Sequence, residues 1–489
     1  MAQKSYIAAD LGASNGRTIL GQFDGKKLRL KELSRFDNNY VRVGDAYYWD
    51  VLHLYSSILG GLKQYARSES GALSGIGIDT WGVDFGLIDK HGRLTGNPRA
   101  YRDPRGMRGM RAFHEKYGER ALFDRTGIAN MEFNTVYQLY DMVRDGDMQL
   151  TAADKLLLMP DLLAYMLCGR AACEYTHAST TQMLENGTWS RSIADMVGIN
   201  PSLLPPIQMS GEKKADLFAH LQDETGLKGN VPVYCVGSHD TASAVASVPA
   251  ATNSYAFLSS GTWSLIGIER DVAIINDTVY QNMLSNEGTI TGGVRLLRNI
   301  MGLWIIQNCK REWDAVQKVS WDEVVAMAER APAFASLIDV NAQMFYDGGN
   351  MVQRIQKYCA ETGQRVPQTQ GEIARTVYES LAMGYREAFD GLEQLKGGRI
   401  DVLHIVGGGA NNRLLNQMTA SALGRTVIAG PTEATAIGNL MVQVKASGEV
   451  KSLSEMRQVI RDSFDVETFE PQNTDAWSEQ FDRYMKIKN

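Results

Sequence analysis

Three places in the chain combine residue types and spacings that could do chemistry. In the first, Gly237-Ser-His-Asp240 follows the apolar run 231–236, whose valines suit a strand buried on both faces. A carboxylate then sits just past the C-terminal end of a buried strand, where open α/β sheets place their ligands. Asp240 could accept a proton there, or cap a helix begun by Thr241-Ala-Ser-Ala-Val245. In the second, Asp10 precedes Gly12-Ala-Ser-Asn-Gly16 and Arg17. The spacing also spells a G-x-S-x-G nucleophile elbow, but that motif needs a helix after the turn, and Thr18-Ile-Leu20 favour a strand. Backbone amides of a glycine turn, with Ser14 and Arg17 beside them, fit phosphate oxygens better. Asp10 could then hold the Mg2+ that accompanies a nucleotide. In the third, Gly407-Gly-Gly409 lies between an apolar run and a helical pattern. Either a nucleotide approaches that helix N-terminus closely, or the loop is simply strained.

Other chemistries are excluded by what is missing. The glycine run lacks the third glycine of a dinucleotide fingerprint, and no G-x-x-x-x-G-K-[ST] phosphate loop occurs. The seven histidines form no zinc-binding spacing. Of these, His239 adjoins Asp240, whereas His404 alternates inside a strand and reads as a core residue. Trp81, Trp263 and Trp304 lie in glycine-bearing segments. Core packing is their default, with stacking on a sugar face as the alternative.

The elements that must position these residues alternate between strand and helix, which predicts an α/β layer structure. Tyr6-Ile-Ala-Ala9 is a strand, the glycine turn follows, and Thr18–Phe23 is a second strand. Asp24-Gly25 is a hairpin dipeptide leading to a third strand at Lys27-Leu-Arg-Leu-Lys31. Asp50 caps a helix with Val51, Leu54, Tyr55, Ile58 and Leu62 on one face. Strand alternation at Gly75-Ile-Gly-Ile-Asp79 is expected to run on through Val83, Phe85 and Leu87, with Asp84 on the opposite face. Half a chain later the plan repeats: strand 254–258, turn 259–262, strand 263–268. Ile373, Val377, Leu381, Tyr385 and Phe389 predict a long amphipathic helix. A strand at 402–406 and a helix at 413–423 follow, and the last forty or so residues read as polar, helical and peripheral.

With 489 residues the chain should divide into at least two domains. A net charge of −6 argues against a nucleic-acid partner. No apolar stretch approaches the ~20 residues that span a bilayer. Five cysteines without a C-x-x-C pair suit a reducing compartment, so a cytoplasmic location is expected.

Asp10-Leu-Gly-Ala-Ser14, Ser259-Ser-Gly-Thr-Trp263 and Val406-Gly-Gly-Gly-Ala-Asn-Asn-Arg-Leu-Leu-Asn-Gln417, in this order, resemble the FGGY carbohydrate kinases. Ile78-Asp-Thr-Trp-Gly-Val-Asp-Phe85, Gly237-Ser-His-Asp-Thr-Ala-Ser-Ala-Val245, Leu258-Ser-Ser-Gly-Thr-Trp-Ser264 and Arg298-Asn-Ile-Met-Gly-Leu-Trp304 resemble, more narrowly, the branch acting on L-rhamnulose. The resemblance implies an α/β, two-domain actin-like (ribonuclease H-like) ATPase fold with the active site in the interdomain cleft. Residues 1–246 would bind sugar and phosphate, and residues 247–489 the nucleotide, with the helical tail beginning near 445. It implies ATP-dependent phosphorylation of L-rhamnulose at the 1-hydroxyl in L-rhamnose catabolism, with ATP and Mg2+ as cofactors. By position, Asp240 would be the proton acceptor, and Gly82, His239, Asp240, Thr241 and Asn299 the sugar contacts. Ala13, Ser14, Asn15, Gly16, Arg17, Thr262, Gln307 and Gly408 would contact ATP. Asn15 stands where a second serine is familiar in the family; a backbone contact survives that change. Two readings compete: a kinase for another ketose such as L-fuculose or D-xylulose, and an actin-like ATP-binding protein without enzymatic activity. The expected partners are a small sugar and ATP, with neither nucleic acid nor membrane; monomer and dimer both stay open.

Overall fold

The computed structural model describes residues 3–69, 71–346 and 348–488. The chain forms two compact units, and it passes between them more than once. The first comprises Met1–Pro249, Glu269–Leu296 and Ala434–Ser463; the second comprises Ala250–Ile268, Leu297–Glu433 and Phe464–Asn489. The expected boundary at 246/247 falls beside the first crossing, but two later segments rejoin the first unit.

In the first unit Lys4–Leu11 pairs antiparallel with Asn15–Phe23 and parallel with Leu73–Thr80. The six-stranded sheet runs Lys213–Asp216, Pro232–Tyr234, Leu73–Thr80, Lys4–Leu11, Asn15–Phe23, Leu28–Asp37. Its register sets Asp10 opposite Arg17 on one neighbour and opposite Asp79 on the other. The helix Val51–Ser68 buries Leu54, Ile58 and Leu62 as its period predicts, and the Asp50 side chain accepts from the amide of His53. Helix Ala434–Ala446 packs so closely that a Cβ on Gly77 would meet Asn439 Oδ1 at 2.5 Å. Gln443 Nε2 donates to the carbonyl of Ile7 at 3.0 Å.

The strand expected to continue past Thr80 does not. It stops there, Val83 takes the left-handed conformation with φ 67°, and Phe85–Ile88 pairs with Lys155–Leu158 in a separate two-stranded sheet. Asp84 is the reason. Four donors converge on its buried carboxylate: Nε1 of Trp49 (2.6 Å) and of Trp81 (2.9 Å), the Tyr101 amide (3.0 Å) and Gln138 Nε2 (3.3 Å). A straight strand could not turn Asp84 into that nest while keeping Trp81 on the same oxygen. The apolar run before Asp240 pairs only over Pro232–Tyr234, although the Thr80 amide still donates to Ser238 O at 2.9 Å. The tail is less peripheral than its polarity suggests. Leu453–Ser463 buries Met456 and Ile460, and Thr474–Ile487 buries Trp477 and Tyr484, because apolar residues recur at helical spacing among the charges.

The second unit repeats the plan of the first. Tyr255–Ser260 pairs antiparallel with Trp263–Arg270 and parallel with Val402–Val406, which pairs in turn with Thr426–Ala429. Helix Gln370–Lys396 buries all five residues of the four-residue repeat and opens with a capping box between Thr369 and Glu372. Tyr385 on that helix hydrogen-bonds Ser264 at 2.7 Å. His404 is a buried core residue, set edge-on to Tyr255.

Candidate active site

Asp240 opens the helix Asp240–Ala246, and its cap is His239 rather than Asp240 itself. The carboxylate turns back on its own helix: Oδ1 accepts from the Thr241 amide (2.5 Å) and the Thr241 hydroxyl (3.1 Å). Oδ2 has no hydrogen-bond partner among the described residues. The side chain is 32% exposed, so a carboxylate oxygen is presented to a ligand while its partner anchors it. The turn before it is fixed from three sides. Ser243 Oγ donates to Gly237 O at 2.7 Å, the Ser238 amide donates to Glu174 Oε2 at 3.2 Å, and the His239 amide faces Thr176 Oγ1 at 3.4 Å. Glu174 is wholly buried and also accepts from Ser210 and Thr176, each at 2.6 Å; burial nonetheless pushes its carboxyl up.

Gly82, His239, Asp240 and Thr241 come together in the first unit. A Cβ on Gly82 would meet His239 Nε2 at 3.3 Å and Thr180 Oγ1 at 3.6 Å, so glycine keeps that space open. His239 Nε2 lies 3.3 Å from Asp240 Oδ1. Behind it His177 is fully buried, and burial, aided by His239, holds its imidazole down to about 3. Asn299, the remaining expected sugar contact, is half-buried on the strand Val294–Met301 and belongs to the second unit. Trp81 is buried against Trp49, with ring centroids 4.3 Å apart, and so packs rather than stacks on a ligand.

The turn at 12–15 is tied down by its carbonyls. The Gly12 amide donates to Asn15 O (2.8 Å), while Asn38 donates from Nδ2 to Gly12 O (2.7 Å) and from its amide to Ser14 O (3.1 Å). The amides of Ala13 and Ser14 have no protein acceptor among the described residues, and Ser14 and Asn15 are exposed. Gly16 is buried where a Cβ would run into the Phe36 ring. The Arg17 guanidinium lies on Asp10 at 2.7 Å, so its first partner is that carboxylate. Asp79, in register with Asp10, was not foreseen from sequence. It is wholly buried; Asn439 Nδ2 donates to Oδ2 at 2.6 Å, and Oδ1 has no hydrogen-bond partner among the described residues. Burial, then the neighbouring Asp10 and Asp240 charges, push its carboxyl well above the usual range.

No group of three or more metal-capable side chains converges among the described residues. Asp10 and Asp79 supply two hard oxygen donors side by side, and Asp79 Oδ1 has no hydrogen-bond partner among the described residues. That donor set fits Mg2+, which dehydrates reluctantly and is usually held by one or two carboxylates, water and substrate phosphate.

In the second unit the corresponding turn at 261–262 is held by the start of helix Trp304–Asp314. The Leu303 amide donates to Gly261 O (3.0 Å) and the Trp304 amide to Thr262 O (3.1 Å). Thr262 Oγ1 reaches Gln307 Oε1 at 3.4 Å, joining two of the expected nucleotide contacts. The triple glycine has a partly internal cause. A Cβ on Gly409 would strike the Ser260 side chain, and Gly407 has φ 85° with Ser260 O beside it. Only Gly408 faces open space.

Residues 5–246 match the FGGY family of carbohydrate kinases, N-terminal domain, and residues 256–447 match its C-terminal domain. The chain is 43% identical to a rhamnulokinase of Bacteroides thetaiotaomicron over 100% of this chain and 99% of that protein. It is 40% identical to a rhamnulokinase of Enterococcus faecalis, covering 99% and 98%. Among solved structures, a ligand-bound xylulose kinase from Lactobacillus acidophilus superposes with a TM-score of 0.83 at 15% identity, covering 99% of this chain and 98% of that one. The ADP complex of Plasmodium falciparum glycerol kinase gives 0.80 at 15%, covering 99% and 97%; these two likenesses concern fold alone.

Proposed function

The chain belongs to the FGGY family of carbohydrate kinases, and from that premise we propose that it transfers the γ-phosphoryl group of ATP to the 1-hydroxyl of L-rhamnulose. The products are L-rhamnulose 1-phosphate and ADP, in the breakdown of L-rhamnose. The observation that carries this reading is end-to-end similarity to rhamnulokinases. Asp240 is the proton acceptor. Oδ2 takes the hydroxyl proton while Thr241 keeps Oδ1 in place. His239, Gly82, Thr241 and Asn299 contact the sugar. Bound MgATP supplies the phosphoryl group and the cation that neutralises its oxygens. Asp10 holds that cation, with Asp79 beside it. The amides of Ala13 and Ser14 receive phosphate oxygens, with Asn15, Gly16, Arg17 and Thr262 as further contacts to them, and Gln307 and Gly408 contact the nucleotide. Among the described residues no helix is long and apolar enough to cross a membrane, in keeping with a small-molecule kinase.

A panel of ketoses assayed by ADP release tests the substrate. Turnover is expected to be fastest with L-rhamnulose; preference for L-fuculose or D-xylulose would replace the sugar assignment. ADP release independent of any sugar would point to an ATPase without a sugar acceptor.

A further inference from the structure

Behind His239 lies an ion pair that the transfer reaction does not use. Arg295 is 1% exposed. Its Nε donates to Gly288 O at 2.9 Å, and its Nη2 donates to Glu287 Oε2 at 3.0 Å. The same Nη2 lies 3.3 Å from Nδ1 of His239, and Glu287 Oε2 lies 3.2 Å from that nitrogen. A guanidinium can only donate, and it stays charged in proteins. A ring nitrogen that accepts from it carries a lone pair. The proton of a neutral His239 therefore sits on Nε2, the nitrogen that faces Asp240 and Gly82. Glu287 Oε2 is as close to Nδ1 as the guanidinium and could take its proton instead. Nε2 decides, because it lies 3.3 Å from Asp240 Oδ1, which only accepts, so the proton has a partner there while the guanidinium neutralises Glu287. The nearness of Oε2 to Nδ1 follows from both groups gathering around one N–H donor group. All four residues belong to the first unit.

We propose that Arg295 is a positioning residue for sugar recognition: donating to Nδ1, it holds His239 as the Nε2–H tautomer, so that the ring offers the sugar a hydrogen-bond donor. The sugar group at this position is then an oxygen lone pair, from a carbonyl or a hydroxyl that spends its own proton elsewhere. Ketoses that lack an oxygen there lose this contact. The assignment of the sugar rests on the reading above; the tautomer does not.

Nuclear magnetic resonance of the protein labelled with 13C and 15N at histidine tests it, the His239 signals being identified by their loss in His239→Gln. At neutral pH without ligand, His239 should show Nε2 protonated and Nδ1 bare. A proton on Nδ1, whether in the other tautomer or in an imidazolium, overturns the proposal whatever the sugar panel gives. Arg295→Met should move the proton to Nδ1, now facing an uncompensated Glu287. It should also raise KM for the sugar about tenfold, the value of one lost hydrogen bond, and leave KM for ATP within twofold. Arg295→Lys, which keeps a donor-only cation, should restore the Nε2–H form. A wild-type tautomer in Arg295→Met, or a rise in KM for ATP equal to that for sugar, counts against positioning. If Arg295→Met does not fold, the wild-type and Arg295→Lys spectra still decide.

Discussion

The two hairpin turns, at 12–15 in the first unit and 261–262 in the second, meet one requirement with different parts. Both need their carbonyls turned away so that amides face outward. In the first a single residue, Asn38, ties two carbonyls, one by its side chain and one by its backbone amide, and the strand behind the turn carries Asp10 next to its last residue, with Asp79 in register beside it. In the second, two amides from the start of a helix tie the carbonyls, and the neighbours are hydroxyls and glycines. One plan thus yields a turn backed by carboxylates and a turn backed by neutral groups. On the proposed function, the first would take a phosphate with its cation and the second a phosphate alone.

The comparison can be broken at several points. The largest effect is expected at Asp240, in the unit with the acidic turn. Asp240→Asn should lower kcat by about 10²–10⁴-fold and leave the ATP dissociation constant, read by titration calorimetry, unchanged. A parallel loss of ATP affinity would mean the carboxylate serves the nucleotide. In the second unit, Gly409→Ala drives a methyl into Ser260 and should cost about 1–3 kcal/mol of stability in chemical denaturation. Gly408→Ala meets nothing, so it should leave stability unchanged and raise KM for ATP. Equal destabilisation by both would remove the distinction between a packed and a ligand-facing glycine.

Acid should separate the units. His177 is held neutral, its folded value near 3 lying below the ordinary 6.5. The stability it contributes is present above pH 6.5 and lost as the pH falls toward 3, by at most about 1.4 kcal/mol per pH unit. Asp84 opposes this. Burial raises its carboxyl from 3.8 to about 6, so its contribution is full below 3.8 and lost as pH rises through 6. His177→Gln should flatten the acid limb of the first unit's melting curve, followed by hydrogen exchange; an unchanged limb would assign acid sensitivity elsewhere. The smallest effect is expected at the first turn itself. Asn38→Ala removes the Gly12 carbonyl's donor and should cost about 1 kcal/mol, with KM for ATP rising severalfold and KM for sugar steady.

Much of this was legible in the chain. The strand–turn–strand units announce themselves through glycines between β-branched runs, and the helix at 370–396 through an unbroken four-residue period. Asp240 stood out because a carboxylate after a buried strand is conspicuous. Asp84 did not, since alternation from 75 to 87 is also what a straight strand would give, and it takes three distant donors together with nearby Trp81 to bend it. Glu287 and Arg295 carry no local pattern at all; their meaning comes from burial beside His239. Asp79 was visible as a strand residue, but its orphaned oxygen is a property of the packed sheet.

Helix Ala434–Ala446 carries a consequence for how the protein is made. Its Asn439 holds Asp79, its Gln443 holds the carbonyl of Ile7, and its Gly438 lies against the backbone of Ser243. A ribosome releases these partners some 190 residues or more before the helix. The sheet bearing Asp10 and Asp79, with the helix that Asp240 opens, therefore waits with one face uncovered until residues 434–446 have been synthesised. A nascent chain halted before 434 should expose that face to chaperones, and no cut near 246 should yield an independently folding first half.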